Sequence, residues 1–133
     1  MKLISKGISL VIIAKNEEKN IAKCIQSAKT ITNEIIVVDM KSSDLTAKVA
    51  RANGARVYTI KDYNHVEPAR KFAISKAHNE WIILLDADER LTTSLKKQIL
   101  KLINGDLCDV IIVPRQNIIL GKWIKNTGWW PDY

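Results

Sequence analysis

The chain has 133 residues, 47% of them hydrophobic and 26% charged, a size and balance that fit one compact domain over residues 1–133 and leave little room for a second. Its formal net charge of +7 implies attraction to phosphate-rich partners, but the lysines are spread along the chain and no basic tract is interleaved with aromatics, which argues against nucleic acid. Cys24 and Cys108 stand far apart without metal-ligand spacing and read as reduced intracellular thiols. The first apolar run is too short to span a bilayer and has no cleavage-site pattern after it, so a cytoplasmic location is expected.

Ile8–Ala14 is a continuous run rich in β-branched residues, the pattern of a strand covered on both faces. Asn16 is placed to cap a helix with Glu17 and Glu18 in its first turn and Ile21, Cys24, Ile25 and Ala28 along its apolar stripe. Glu34–Asp39 reads as a second buried strand. Ser42, Ser43 and Asp44 then offer caps for a helix with Leu45, Val49 and Ala52 inward, stopped at Asn53-Gly54. Arg56–Ile60 reads as a third strand. Glu67-Pro68 opens a helix whose stripe is Ala69, Phe72, Ala73 and Ala77, since proline is tolerated in a first turn. Trp81–Leu85 is a fourth strand. A helix follows from about Thr92 to Ile103, with Leu95, Ile99, Leu102 and Ile103 inward. Asp109–Val113 reads as a fifth strand, and Ile118–Leu120 with Trp123-Ile124 as a further short one.

Strand and helix alternate through the chain, which predicts an α/β fold: a Rossmann-like three-layer α/β/α sandwich with a mainly parallel sheet. Ligands of such sheets bind beyond the carboxyl ends of the strands, near the place where strand order reverses. Three polar clusters fall at such ends: Lys15-Asn16-Glu17, Asp39, and Asp86-Ala87-Asp88. Carboxylates one residue apart in an extended chain project to one side, and a hard divalent cation relieves their repulsion while attracting phosphate oxygens. Haloacid-dehalogenase-type phosphatases also carry Asp-x-Asp, but on the first strand, and a dinucleotide fold would show glycines between Ala14 and Asn20, where there are none.

The segments Ile8–Glu18, Glu34–Asp39 with Ser42-Ser43-Asp44-Leu45-Thr46, Ala69-Arg70, and Leu84–Glu89 together resemble the family 2 glycosyltransferases of the GT-A fold. The tail, Gly128-Trp129-Trp130-Pro131-Asp132-Tyr133, is similar to bacterial members that add sugars to lipopolysaccharide cores. The resemblance implies a nucleotide-diphosphate sugar donor, UDP-sugar favoured, at the ends of strands one, two and four. It places Lys15 and Glu17 by the base and ribose, Asp39 on the base, Arg70 near the donor, Asp86 near the ribose, and Asp88 as ligand of a divalent metal, Mn²⁺ or Mg²⁺. It makes Asp132 the general base of an inverting hexosyl transfer to a glycan or lipid-linked saccharide. Peripheral contact with the inner membrane face and homo-oligomerisation accompany that reading.

Where many members have glycine and small residues after Asp39, this sequence has Met40-Lys41, which narrows the site or brings a cation toward the phosphates. Family catalytic domains also continue well past this length, so the chain reads as the nucleotide-binding half with the acceptor half largely missing. Trp123, Trp129, Trp130 and Tyr133 are expected to form a sugar-stacking or acceptor platform, the face of a missing half or an oligomer contact. Glu89 is expected behind the metal ligand or in solvent, Arg90 as a surface charge, and His65 and His78 as ordinary loop or helix-end residues. The alternatives are a nucleotide-sugar binding module without turnover and a nucleotidyltransferase-like enzyme, the latter weakened by the missing glycine-rich loop.

Overall fold

The computed structural model describes residues 6–63, 65–126 and 130–133. In chain order the elements are β1 (Ile8–Ala14), α1 (Ile21–Ala28), β2 (Glu34–Asp39), α2 (Thr46–Ala52), β3 (Arg56–Thr59), α3 (Glu67–Ile74), β4 (Trp81–Asp86), α4 (Thr93–Asn104), β5 (Ile118–Ile119) and β6 (Lys122–Trp123). The first four strands form one parallel sheet in the order β3-β2-β1-β4.

Each element follows from its apolar period. In β1 and β2 nearly every residue is buried, as continuous runs must be when helices cover both faces. Alternate side chains divide between two cores: Leu10, Ile12, Ile35 and Val37 pack with Ile21, Cys24, Ile25 and Ala28 of α1, whereas Val11, Ile36 and Val38 pack with Ala69 and Ala73 of α3. A third cluster seats Ile99 and Ile103 of α4 against Ile8. The chain thus winds outward through α1 and α2 to β3, then returns across the opposite face through α3 to β4. The reversal of strand order falls between β1 and β4, the position where open sheets leave a crevice.

Four expectations change. Asn16 does not cap α1; it takes a left-handed conformation at φ 56°, a region asparagine tolerates better than most residues, and α1 starts after a turn at residues 18–20. In α2 the buried residues are Thr46 and Ala50; Leu45 is 56% exposed because the helix starts one residue after it. Asp109–Val113 forms no strand. Only Ile111 of that run reaches the core, and Val110 and Ile112, at 72% and 71% exposure, face away from any partner strand. Ile118-Ile119 and Lys122-Trp123 pair with each other as an antiparallel hairpin instead of extending the main sheet.

Candidate functional site

Register places the acidic tips on one edge. Asp39, the last residue of β2, lies opposite Ala14, and Asp86, the last of β4, lies opposite Ile13. With β1 between them, their backbones are separated by two strand spacings, about 10 Å. By strand alternation Asp39 follows the face that carries Ile35 and Val37, while Asp86 follows the face of Ile82, so the two carboxylates flank the tip of β1.

The Asp39 end is closed and knitted. Asp39 is 2% exposed; its Oδ2 accepts from the Ser42 amide at 3.2 Å, while Oδ1 is buried with no hydrogen-bond partner. Two left-handed residues, Asn16 and Lys41, turn the loops after β1 and β2 toward each other. The Asn16 amide donates to Ser42 Oγ at 2.8 Å, and Asn16 Oδ1 accepts from the Ser43 amide at 2.8 Å. The Glu17 amide donates to Thr46 Oγ1 at 2.7 Å, and Glu18 Oε2 accepts from the Leu45 amide at 3.0 Å. Asn16 therefore joins the two loops instead of capping α1, and asparagine's tolerance of left-handed backbone is the signal for it in the sequence.

Lys15 forms an ion pair with Asp62, just beyond β3. The Glu17 carboxylate accepts from Asn20 Nδ2 at 2.9 Å, so it is turned toward the start of α1. Met40 is 7% exposed and packs in the α3-side core, which removes it as a residue that narrows the site; Lys41 is exposed. Arg70 lies on α3 with its guanidinium 3.7 Å from Glu67, and the described contacts do not bring it to either aspartate.

The other end is open. Ala87 and Asp88 form a turn instead of continuing the strand, so the period-two argument for Asp86 and Asp88 does not hold. The turn is closed reciprocally: the Glu89 amide donates to the Asp86 carbonyl at 2.9 Å, and Glu89 Oε2 accepts from the Asp86 amide at 2.9 Å. Ala87 is 4% exposed and plugs the α1-side core, which explains a small apolar residue between two carboxylates. Asp88 is exposed on the turn. Burial, with the charges of Asp86 and Asp88, pushes the Glu89 carboxyl above its ordinary value against the pull of the Asp86 amide and Arg115.

Arg90 is not a surface charge. It is half-buried, donating to the Ala87 carbonyl at 3.0 Å and the Asn20 carbonyl at 3.1 Å, so it fastens the turn to the start of α1. Cys24 Sγ donates to the Asp86 carbonyl at 3.3 Å, and burial pushes its thiol up to about 12. Among the described residues no three His, Cys, Asp or Glu side chains gather closely enough to hold a metal by themselves.

Asp132 reaches this end. Its Oδ2 is 3.6 Å from the Arg115 guanidinium, which also stands 3.9 Å from Asp86 and 3.6 Å from Glu89. Asn117 Nδ2 donates to the same Asp132 oxygen at 3.1 Å. Neither Arg115 nor Asn117 was singled out from the sequence; the arginine after Pro114 carried no periodic signal. Trp123 and Trp130 stack edge to face at 4.9 Å, Tyr133 is 68% exposed, and Gly128 and Trp129 lie outside the described residues.

His65 is exposed, as expected, but His78 belongs to a cluster at the opposite edge of the sheet, its Nδ1 2.7 Å from Glu34 Oε1. Glu34 also pairs with Arg56 and accepts from Ser9 Oγ at 2.6 Å.

The parallel sheet, the paired loops and the acidic tips at one edge can be set beside known proteins. The model of the family described as glycosyl transferase family 2 matches residues 9–132. The chain belongs to that family. This family 2 chain is 44% identical over 94 residues to an uncharacterized glycosyltransferase of Rickettsia typhi, a match covering 71% of this chain and 32% of the relative. It is 36% identical over 96 residues to the SPbeta prophage-derived glycosyltransferase SunS of Bacillus subtilis, covering 71% and 23%.

Among solved structures, the M. tuberculosis glucosyl-3-phosphoglycerate synthase shares 29% identity at a TM-score of 0.53, over 62% of this chain and 34% of that one. A structure described as a mycobacterial protein gives 25% identity and a TM-score of 0.60, over 77% and 37%. These neighbours bear out the GT-A fold expected from the sequence. The family 2 chain spans about a third of the length of the Rickettsia relative. No helix among the described residues is long and apolar enough to cross a membrane.

Proposed function

We propose that this chain forms the donor side of a glycosyltransferase that moves a sugar from a nucleotide-diphosphate sugar, a UDP-sugar by preference, to an acceptor hydroxyl of a glycan or lipid-linked saccharide. The observation that carries the reading is Asp39. A buried carboxylate oxygen without a partner is costly, and a base N–H arriving at the end of β2 would satisfy Oδ1 while Ser42 keeps Oδ2. Lys15, Glu17, Arg70 and Asp86 complete the proposed donor set.

A divalent ion fits the open end. Mg²⁺-like ions are usually held by one or two carboxylates plus substrate phosphates instead of a full protein cage, which agrees with an exposed Asp88 beside Asp86 and with no three-residue cluster. Asp88 would hold the ion, whose charge would stabilise the departing diphosphate. In the proposed displacement the acceptor oxygen bonds to the anomeric carbon as the bond to the diphosphate breaks. The bonding pair goes to the phosphate oxygen and the hydroxyl proton goes to Asp132. Proximity of Asp132 to Asp86 through Arg115 supports that assignment.

Calorimetric titration of the chain with UDP tests the base contact. In Asp39→Asn, Ser42 needs the remaining carbonyl oxygen as its acceptor, so an NH₂ group faces the base N–H. Affinity should fall by at least about tenfold with the far-UV spectrum unchanged. Equal affinity in both proteins would overturn the reading.

A further inference from the structure

Among the described residues, the Arg115 side chain brings the segment after α4 back to the carboxyl edge of the sheet. The Arg115 amide donates to the Asp132 carbonyl at 2.5 Å in an isolated antiparallel bridge, so the backbone already holds the two residues side by side. The guanidinium then stands among three carboxylates: Asp132 at 3.6 Å, Glu89 at 3.6 Å and Asp86 at 3.9 Å. Without a cation those carboxylates repel one another, and the tail would be driven from the turn after β4. A guanidinium spreads one positive charge over a planar fork and can stand near several carboxylates at once.

We propose that Arg115 is the positioning residue that fixes the tail carboxylate Asp132 against the acidic tip of β4. The inference rests on the reading of Asp132 as proton acceptor and adds what places it there. Asn117 sets which way the carboxylate faces, because its Nδ2 donates to the oxygen that also lies nearest Arg115. All three ionic separations exceed hydrogen-bond length and the Arg115 side chain is 47% exposed, so the attachment is electrostatic and screened by salt.

The Trp123–Trp130 pair supplies the readout, because its rings lie 4.9 Å apart at 89° and Trp130 is joined to Asp132 through Pro131 alone. Near-UV circular dichroism of the 133-residue chain should lose more than half of its tryptophan signal in Arg115→Gln, with the far-UV spectrum intact. Asp132→Asn should lose a similar share, and the double variant no more than either single one, as coupled partners require. Arg115→Lys should restore the signal at about 10 mM salt and lose it at about 1 M, where the Debye length shrinks from about 30 Å to about 3 Å. A wild-type signal in Arg115→Gln, or additive losses in the double variant, would overturn the proposal. UDP titration of the unsubstituted chain judges the donor reading separately: failure of that chain to bind UDP sinks the donor reading and leaves the tail spectrum to decide on Arg115.

Discussion

Residues 8–104 and residues 105–133 are held by different forces. In the first region Leu10, Ile12, Ile36, Val37 and Val38 are 0% exposed, and the strand ends take their places from that packing. In the second, Val110, Ile112, Ile118 and Leu120 are between 58% and 98% exposed, and the chain is tied to the first region through Ile111 and the Arg115 ion pairs. The difference teaches that Asp39 is set in place by packing, whereas Asp132 is held by a single backbone bridge, the Asn117 hydrogen bond and a screened ion pair.

Truncation is the strongest way to break this comparison. Ile12→Ala should cost about 2–5 kcal/mol in urea or thermal unfolding, because the cavity lies in a sealed layer. Ile118→Ala should cost less than about 0.5 kcal/mol, as exposed positions do. Equal costs would erase the distinction.

At the open end, Mn²⁺ should raise UDP affinity about tenfold on the proposed reading, and Asp88→Ala should abolish that gain while metal-free affinity stays as in wild type. Loss of metal-free affinity as well would show that Asp88 acts within the packed region after all.

Acid sharpens the picture from the opposite edge. Burial raises the Glu34 carboxyl, but hydrogen bonds from Ser9 and His78 and the Arg56 charge outweigh it and hold the group at about 2 against an ordinary 4.5. A folded value below the unfolded one contributes stability that is full above 4.5 and lost as pH falls toward 2. Glu34→Gln should flatten the fall in melting temperature across that window; an unchanged slope would assign acid sensitivity elsewhere.

The smallest effect belongs to the hairpin. Leu120 and Gly121 both have positive φ, 48° and 75°, the geometry of a type I′ turn that prefers Asn-Gly. Leu120→Asn should stabilise the hairpin by a few tenths to about 1 kcal/mol, seen in amide exchange of β5 and β6, with little change in global melting. A destabilised hairpin would count against the turn assignment.

What was legible follows the same division. Strands β1 to β4 were readable because unbroken apolar runs have one use in an alternating chain, and the meeting of Asp39 and Asp86 at one edge because both close parallel strands that flank β1. Asp109–Val113 misled because a short apolar run carries no information about whether a partner strand exists. Arg115, Arg90 and the Glu34–His78 cluster were missed because long-range pairing of charges has no period. Asn16 has the residue type of a cap, but its left-handed backbone gives it another role that residue type alone does not encode.

The Cys24 thiol has a practical consequence. Donating to the Asp86 carbonyl from a sealed layer, it stays protonated to about 12, so alkylating reagents at neutral pH should pass it by. Cys108, only partly buried, then offers one selective attachment point for a fluorophore or spin label. Such a reporter sits on the loosely held segment itself, and can follow its distance from the sheet without any substitution in the protein.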